Sequence, residues 1–361
     1  AKIGLERFSG IKNAIDAVVK KIGKTQPTRA DFEAFKPTDD METNIQRIMV
    51  NQLKNTSFED FYKKQIEPGY DHFKKQVEYN LNLDYDPRGI VGDDPNNSKE
   101  RFYGNNDVTG PDAKHGSHVA GIIGAVRTND LGIKGVANNV IIMGVRNTPN
   151  GDERDKDVAN AIRYAVDNGA KVINMSFGKS YSWDKAIVDE AVKYAVSKDV
   201  LLVHAAGNDN NNLEVESNFP DPEYLGGGKA SSWITVGASA WTNDGQIKAN
   251  FSNYGKTKVD VFAPGVDINS TVPGSKYEKL SGTSMAAPVV AGLAALIRSY
   301  YPKLKAVEVK DIILKSVVKV NQSVEIRTET DVKTVPFSDL CVTGGIVNAY
   351  NALKLAAEYK K

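Results

Sequence analysis

The order of apolar and polar positions changes along the chain at about residue 115. From there, short runs of Val, Ile and Leu alternate with segments of helical period, as a parallel sheet covered on both faces requires. The predicted strands are Val140–Val145, Lys171–Met175, Val200–His204, Trp233–Ala238 and Val259–Phe262. The predicted helices are His115–Val126, Asp155–Asn168, Trp183–Ser197, Ser284–Tyr300, Ala306–Lys315 and Val347–Tyr359. This pattern predicts an α/β fold with a doubly wound parallel sheet.

Residues 1–85 follow a different pattern. Phe8–Ile22, Asp40–Asn55 and Phe58–Leu81 are charged, amphipathic and helical in period, with a break at residues 25–28. We therefore expect a helical unit at residues 1–85 and a second unit at residues 86–361. Aromatic residues such as Phe58 and Phe61 are expected to pack these helices together. A stabilising cap is the favoured role of the first unit, and a lid over a cleft is the alternative.

Composition excludes some classes of protein. The 46 Lys and Arg residues nearly balance the 45 Asp and Glu residues, for a net charge of +1, so the charge gives no reason to expect a nucleic-acid partner. The single cysteine, Cys341, excludes an intrachain disulfide and is expected to be buried. The sequence contains no apolar run of membrane-spanning length, so no membrane span is expected.

Ser284 is the strongest candidate for chemistry. It lies in the sequence Ser-Gly-Thr-Ser-Met-Ala-Ala-Pro at residues 281–288, directly before the apolar helical stretch at residues 289–297. At a helix N-terminus, free backbone N–H groups and the positive end of the dipole can stabilise an oxyanion. The position therefore suits a serine nucleophile, and a simple helix N-cap is the alternative.

A serine hydroxyl needs an adjacent base to become a nucleophile. The chain has four histidines, and His115 is the best candidate because it precedes a helix of small and aliphatic residues. The other three have structural interpretations. His72 is expected at the surface, His118 packed inside, and His204 hydrogen-bonded at a strand end.

Asn208 follows the apolar run at residues 200–203 and the sequence Ala205-Ala206-Gly207. In a parallel sheet, the carboxyl ends of the strands form the edge at which ligands bind. An amide at this edge can donate a hydrogen bond to a developing oxyanion, and an ordinary turn residue is the alternative.

Together these segments resemble the subtilisin family of serine peptidases. His-Gly-Ser-His-Val-Ala-Gly at residues 115–121 is similar to the general-base motif, with Ser117 where threonine is usual. Residues 281–288 match the nucleophile motif at every position, and Ala-Ala-Gly-Asn at residues 205–208 matches the oxyanion motif. Asn-Met-Ser-Phe-Gly at residues 174–178 resembles the substrate-binding strand. The four motifs occur in the family's order.

The resemblance implies a hydrolase, a serine endopeptidase that cleaves polypeptides through an acyl-enzyme. Ser284 would attack the peptide carbonyl and His115 would take and return the proton. Asn208 and the backbone N–H of Ser284 would bind the oxyanion. Such a mechanism requires no cofactor.

The resemblance also implies a substrate site. The substrate would add as an extended strand along Ser176, Phe177 and Gly178. Ala205, Ala206 and Gly207 would form the floor of the primary pocket, and their small size suggests room for a sizeable apolar side chain. The opposing edge at residues 145–150 lacks the family's usual glycines. Arg146 and the charged residues 152–155 are expected to change the preference upstream of the cut.

The family's orienting aspartate is missing from the expected position. It normally ends an apolar strand before the histidine motif, and no acidic residue before His115 follows four apolar residues. The acidic residues nearest in sequence are Asp84, Asp86, Asp93, Asp94, Asp107 and Asp112. In a subtilisin, loss of the aspartate alone lowers turnover by about 3 × 10⁴-fold, so this chain alone should be a poor enzyme.

Two explanations remain for the missing aspartate. The favoured one is that the chain begins after the aspartate strand, so that its own N-terminal fragment or a propeptide binds as a noncovalent partner. Residues 1–85 would then be a helical insertion between that strand and the histidine motif, similar to the inserts of some bacterial members of the family, and residues 86–361 would be a peptidase domain that lacks its first strand. The alternative is natural loss, which would leave a pseudopeptidase that binds peptides without cleaving them.

Metal binding and location are secondary expectations. One loop is rich in candidate oxygen ligands, for which turn formation is favoured and structural calcium is the alternative. These residues are Asp93, Asp94, Asn96, Asn97, Asn105, Asn106 and Asp107. No His-Glu-x-x-His element supports zinc at His115 and His118. The chain shows no signal peptide, and the resemblance implies an extracellular (secreted) or cell-envelope location.

Overall fold

The computed structural model describes residues 1–148, 153–327 and 331–359. The described residues divide into two compact units, Ala1–Gly92 and Asp93–Lys361. The second unit begins slightly later than the boundary expected before residue 86. The role of the first unit as an insertion or cap stays a prediction. Within the described ranges, no helix is both long enough and apolar enough to cross a membrane.

The first unit is helical, as its pattern predicts. Its helices are α1 (Lys2–Ile22), α2 (Arg29–Ala34), α3 (Asp40–Gln52), α4 (Phe58–Phe61), α5 (Glu67–Lys75) and α6 (Arg88–Val91). Two π-helical turns, Tyr62–Ile66 and Gln76–Asn80, flank α5 within the segment predicted as one long helix. The short helices α2 and α6 were not predicted, because they contain too few residues to show a helical period.

A core of its own holds the first unit together. Ile15 and Val18 of α1 pack with Phe32 and Met49 in one buried cluster, which also includes the expected aromatic residues of α4. Local capping fixes where α2 begins. The Thr28 hydroxyl accepts from the N–H of Asp31, and the Asp31 carboxylate accepts from the N–H of Thr28. This reciprocal pair satisfies donors that the first turn leaves free.

The second unit is built on a parallel sheet. Its strands are β1 (Val172–Met175), β2 (Leu201–Ala205), β3 (Trp233–Ser239), β4 (Val261–Pro264), β5 (Ile268–Val272), β6 (Lys276–Leu280), β7 (Val318–Lys319), β8 (Ser323–Arg327), β9 (Val332–Pro336) and β10 (Gly345–Ile346). Within the described residues, one sheet has the order β1-β2-β3-β4-β10-β7. All its neighbouring strands run parallel except β7, which is antiparallel to β10. Four of the five predicted strands are confirmed as β1 to β4.

Helices cover both faces of this sheet. They are α7 (Lys114–Gly124), α8 (Asp155–Asp167), α9 (Lys185–Ser197), α10 (Thr283–Tyr300), α11 (Ala306–Lys315) and α12 (Ala349–Tyr359). Side chains of β2 alternate between the faces. Leu201 and Val203 pack with α10 and α11, whereas Leu202 packs with α8 and α9. The predicted α/β fold is confirmed.

The predicted strand Val140–Val145 is wrong. Residues 140–148 form no strand, and Ile141 is 99% exposed. On the other side of this segment, Val140 and Ile142 lie against Gly124 of α7. A strand requires ladder hydrogen bonds from a neighbour, and a run of β-branched residues provides only the propensity. The outer edge of β1 likewise has no partner strand among the described residues.

Two hairpins were not predicted. β5 pairs with β6 through a turn at Pro273-Gly274, a strong turn signal that the sequence analysis missed, and β8 pairs with β9. The β5–β6 hairpin holds α7. Ser270 Oγ donates to the carbonyl of His118 at 2.7 Å, and Thr271 Oγ1 donates to the carbonyl of Ser117 at 2.9 Å. The hairpin therefore fixes the helix that carries His115.

Candidate active site

Ser284 lies in the first turn of α10. Its hydroxyl donates to the carbonyl of Ser176 at 3.2 Å, and the Ser176 hydroxyl donates to the carbonyl of Ser284 at 2.9 Å. The N–H groups of a first helical turn have no acceptor within the helix, and the helix dipole favours negative charge there. The N–H of Ser284 is therefore directed to a place where an oxyanion would be stabilised.

Asn208 lies on the loop that follows β2, beside the start of α10. Its Oδ1 accepts from the N–H of Thr283 at 2.8 Å and from the Thr283 hydroxyl at 2.9 Å. Because a backbone N–H can only donate, this contact fixes Oδ1 toward α10 and leaves Nδ2 on the other side. Among the described residues, no acceptor bonds to Nδ2. The side chain therefore presents a free amide donor next to Ser284.

Thr283 and Gly207 hold this arrangement. Thr283 is fully buried, and its hydroxyl accepts from the N–H of Gly207 at 3.2 Å while donating to Asn208. Gly207 has φ +101°, a conformation that side chains rarely adopt. The sequence Ala-Ala-Gly-Asn thus ends β2 in a turn that only glycine allows, and this turn directs Asn208 toward α10.

These groups border a cleft of about 420 Å³. Its lining residues are Phe177, Gly178, Lys179, Ser180, Tyr181, Ala205, Gly207, Asn208, Asp209, Ser217, Asn218, Thr283 and Ser284. The structure thus brings together Ser284, Asn208 and most of the predicted substrate-binding residues. Ser176 touches Ser284 directly, whereas Ala206 is fully buried behind the cleft.

Asn218 narrows the cleft between Gly178 and Gly207. Its Nδ2 donates to the carbonyl of Ala205 at 3.0 Å. A Cβ placed on Gly178 would come within 2.3 Å of Asn218 Oδ1. Asn218 belongs to none of the four motifs, so its position is not predicted from the sequence. The predicted room for a large apolar side chain rests on the small residues at positions 205–207 alone.

The opposing edge of the predicted substrate site is only partly described. Arg146 packs at Gly110, and its Nη1 lies 3.7 Å from the Asp107 carboxylate. Pro149, Asn150 and Asp152 lie outside the described residues. The Asp155 carboxylate, at the start of α8, pairs with Lys179 at 2.7 Å. The predicted effect of this edge on cleavage preference stays a prediction.

His115 lies in the first turn of α7, which packs against α10. Its side chain takes part in no hydrogen bond with any described residue, and it does not line the cleft. Partial burial and the nearby His118 hold its pKa below the ordinary value, against the opposing charge of Asp112. A lowered pKa favours the neutral imidazole, which is the form that accepts a proton.

His118 anchors α7, as the prediction of a packed residue implied. It is fully buried, and its Nε2 lies 3.0 Å from the carbonyl oxygens of Ile268 and Glu278. Since both neighbours are acceptors, Nε2 carries the proton and donates. His204 is the expected hydrogen-bonded residue of β2. Its Nε2 donates to the carbonyl of Phe177 at 2.8 Å, and its burial lowers its pKa to about 4.

The acidic residues upstream of His115 have local partners. Asp93 pairs with the buried Lys156, and Asp107 Oδ1 accepts from the N–H groups of Thr109 and Gly110. Asn97 and Asn105 accept from backbone N–H groups two residues ahead, as in turns. Across the described ranges, no three His, Cys, Asp or Glu side chains form a metal-binding group. Structural calcium in this loop stays a prediction.

The fold and site together place a serine and an amide donor at the N-terminus of a helix, beside a parallel α/β sheet. The sequence profile described as "Subtilase family" (Peptidase_S8) matches residues 44–337. The chain therefore belongs to the subtilase family. The Ser-His-Asp mechanism is general for this family.

Individual relatives agree with this assignment. The chain is 45% identical over 186 residues to a thermophilic serine proteinase of Bacillus sp. (strain AK1), covering 51% of this chain and 42% of the relative. It is 40% identical over 216 residues to a cell wall-associated protease of Bacillus subtilis (strain 168), covering 60% and 22%. A solved protease structure from Pseudoalteromonas arctica matches with TM-score 0.54 and 30% identity, over 67% of this chain and 70% of that one. The chain thus spans less than half the length of these two curated relatives.

Proposed function

We propose that the chain provides the catalytic centre of a serine endopeptidase. The observation that carries the proposal is the pairing of Asn208 and Ser284. One presents a free amide donor and the other a hydroxyl and a free N–H, all at the N-terminus of α10. Charge that develops on a substrate oxygen here would meet donors already in place, which is the main source of catalysis in acyl transfer.

The reaction would proceed in two halves. Ser284 Oγ attacks the peptide carbonyl carbon while its proton passes to His115, and the resulting oxyanion accepts from Asn208 Nδ2 and the N–H of Ser284. The C–N bond then breaks, and the proton moves from His115 to the leaving amine. In the second half, water loses a proton to His115 and attacks the acyl carbon. The bond from that carbon to Ser284 Oγ then breaks, and His115 returns the proton to Oγ, which releases the acid and restores the free serine.

For this reaction, the Ser284 hydroxyl must turn from the Ser176 carbonyl toward His115. The hydrogen bond at 3.2 Å is at the weak end of the range, and rotation about one side-chain bond releases it. An orienting carboxylate for His115 would also be needed, and none hydrogen-bonds it among the described residues. We propose that a polypeptide strand supplies this group by adding to the open edge of β1. The protein's own N-terminal fragment or a propeptide would suit this role.

The proposed substrate is an extended polypeptide bound along Ser176, Phe177 and Gly178. Because Asn218 occupies the space between the two glycines, we propose that the primary pocket takes a small or polar side chain rather than a large apolar one. We propose that the protein acts outside the cytoplasm or at the cell envelope, and the name of the cell wall-associated relative supports the envelope.

A pseudopeptidase that binds peptides is the second candidate. Two observations favour it. Described carboxylates make no hydrogen bond to His115, and the Ser284 hydroxyl points at a backbone carbonyl. Such a protein would keep the cleft and its peptide-binding edge while lacking turnover.

Hydrolysis of an unfolded protein substrate separates the two candidates. We expect the wild-type chain, with its partner strand present, to release peptides, and Ser284→Ala to release none while still binding substrate. Ser197→Ala is the matched control, since it removes an exposed serine hydroxyl of α9 outside the cleft and should retain the activity. Binding without release by the wild-type chain would instead support the pseudopeptidase. Equal release by Ser284→Ala would contradict the proposal.

A further inference from the structure

We infer that Asn253 is a positioning residue that fixes the turn carrying Asn208. Asn253 does not line the cleft, and its side chain is 2% exposed. Yet its polar atoms bond to the backbone on both sides of Asn208. The catalytic consequence of this inference rests on the proposed function, whereas the structural part stands independently.

The contacts of Asn253 enclose the turn. Its Oδ1 accepts from the N–H of Asp209 at 3.0 Å and from the N–H of Asn211 at 2.8 Å. Its Nδ2 donates to the carbonyl of Ala206 at 2.9 Å, and its own N–H donates to the carbonyl of Gly207 at 3.0 Å. One buried residue thus satisfies groups immediately before and after Asn208.

The fit leaves little freedom. A Cβ added to Gly207 would lie 2.3 Å from Asn253 Nδ2, so the amide packs directly against the turn. Two backbone bonds also join the turn to this segment. The N–H of Asn210 donates to the carbonyl of Phe251 at 2.8 Å, and the N–H of Tyr254 donates to the carbonyl of Asn211 at 3.0 Å. Asn253 is the member of this segment whose side chain spans the turn.

Among the described residues, the Asn208 side chain is held by Thr283 alone, through two hydrogen bonds to Oδ1. The position of its free Nδ2 therefore depends on where the turn places the Cα of Asn208. An oxyanion donor displaced by about 1 Å loses much of its effect, because the interaction must be made at the transition state. Asn253 sets that position without touching substrate.

Hydrogen exchange tests the structural part without any need for catalysis. In Asn253→Ala, we expect exchange in the peptide covering residues 207–213 to become at least about tenfold faster. Asn253→Asp keeps the acceptor for Asp209 and Asn211 but places a carboxylate oxygen against the Ala206 carbonyl in place of the Nδ2 donor. Because it also buries a charge, we expect it to leave this peptide less protected than in wild type. Ser232→Ala is the matched control. It removes another buried side chain that bonds a backbone carbonyl, that of Val200, and it should leave this peptide unchanged.

Labelling of Ser284 by a fluorophosphonate tests the catalytic part. We expect Asn253→Ala to label about 10- to 100-fold more slowly than wild type, with Ser232→Ala close to wild type. With a peptide substrate, kcat should fall while KM stays nearly constant, since only transition-state stabilisation is lost. Failure of the wild-type protein to label would count against the proposed function and not against the turn's dependence on Asn253. Unchanged exchange in Asn253→Ala, or equal loss of protection in Ser232→Ala, would overturn the inference.

Discussion

The turn that carries Asn208 and the helix that carries His115 belong to the same unit, yet different contacts hold them. Asn208 is fixed by Thr283, and its turn is fixed by backbone and side-chain bonds across the loop. His115 has no hydrogen bond to a described residue. Its helix is held farther along, at His118 and the β5–β6 hairpin. The Asn208 side chain is therefore preorganised, whereas the His115 side chain has a fixed helix but no hydrogen bond to a described residue that would orient its ring.

The sheet explains this difference. Asn208 follows β2, which has a paired strand on each side. The outer edge of β1 is open within the described ranges, and residues 140–148 stay unpaired although their sequence favours a strand. This unpaired segment lies against Gly124 of α7, the helix of His115. Asn208 follows a strand that is paired on both sides, and its side chain is held in place. His115 lies on a helix beside unpaired backbone, and its side chain is not held by a hydrogen bond to a described residue.

The largest expected effect comes from the oriented half. Asn208→Asp keeps the acceptor for Thr283 but replaces the free amide donor by a negative oxygen. We expect labelling of Ser284 to slow by about 10²–10³-fold. This is the range measured when an oxyanion donor is removed from subtilisin, a member of the same family. Thr283→Val removes the hydroxyl bonds to Asn208 and to the N–H of Gly207 but keeps the backbone bond to Asn208, so it should slow labelling about tenfold. Equal rates in Asn208→Asp and wild type would show that Asn208 does not bind the oxyanion.

His118→Leu tests how the helix of His115 is held. The change leaves the carbonyl oxygens of Ile268 and Glu278 without their donor, so we expect a loss of about 1–3 kcal/mol in unfolding free energy by denaturant titration. His72→Leu in the first unit is the control, and this exposed change should stay within about 0.5 kcal/mol. A His118 variant as stable as wild type would mean that the hairpin does not depend on this contact.

The pH dependence of Ser284 labelling reports on the protonation of His115. Burial and the nearby His118 lower the pKa of His115, so its neutral, proton-accepting form persists to lower pH than in a free imidazole. The acid limb of the labelling rate should therefore lie below the ordinary value of about 6.5 for histidine. This prediction holds for the chain without an added partner strand, and a midpoint above about 6.5 in that sample would contradict the lowered pKa of His115. A partner strand that brings a carboxylate to His115 should move the midpoint upward.

The smallest effect is expected in the unpaired segment. Ile141→Ala removes a side chain that is 99% exposed and should change stability by no more than about 0.5 kcal/mol. Ile234→Ala in β3, where the side chain is fully buried, should lose about 2–5 kcal/mol. Denaturant titration of both variants checks the contrast. A large loss at Ile141 would mean that residues 140–145 are packed in solution.

Local sequence patterns predicted the central strands and the positions of the motif residues. The Val, Ile and Leu runs identified β1 to β4, and the motifs located Ser284, Asn208 and His115 at the starts of helices or the end of a strand. Val140–Val145 carries the same signal, but a strand also needs a neighbour, which no local pattern reveals. The short helix α2 depends on a cap at Thr28 rather than on a period.

The sequence did not predict the contacts in the site between residues far apart along the chain. Asn218 and Asn253 act on the cleft and the turn from positions with no distinctive pattern. Thr283 lies within a recognised motif, yet its bond to Asn208 joins residues 75 positions apart. Such contacts depend on how β2 and α10 pack in the folded protein, so they can be identified only in the structure.

Peptide mapping of the fluorophosphonate adduct tests the central claim most directly. The protein would be labelled under native conditions, digested and analysed by mass spectrometry, with Ser284→Ala and Ser176→Ala in parallel. We predict a single adduct on Ser284, absent in Ser284→Ala and retained in Ser176→Ala. An adduct on Ser176 or Ser180, or no adduct at all with a partner strand present, would contradict the assignment of Ser284 as the nucleophile.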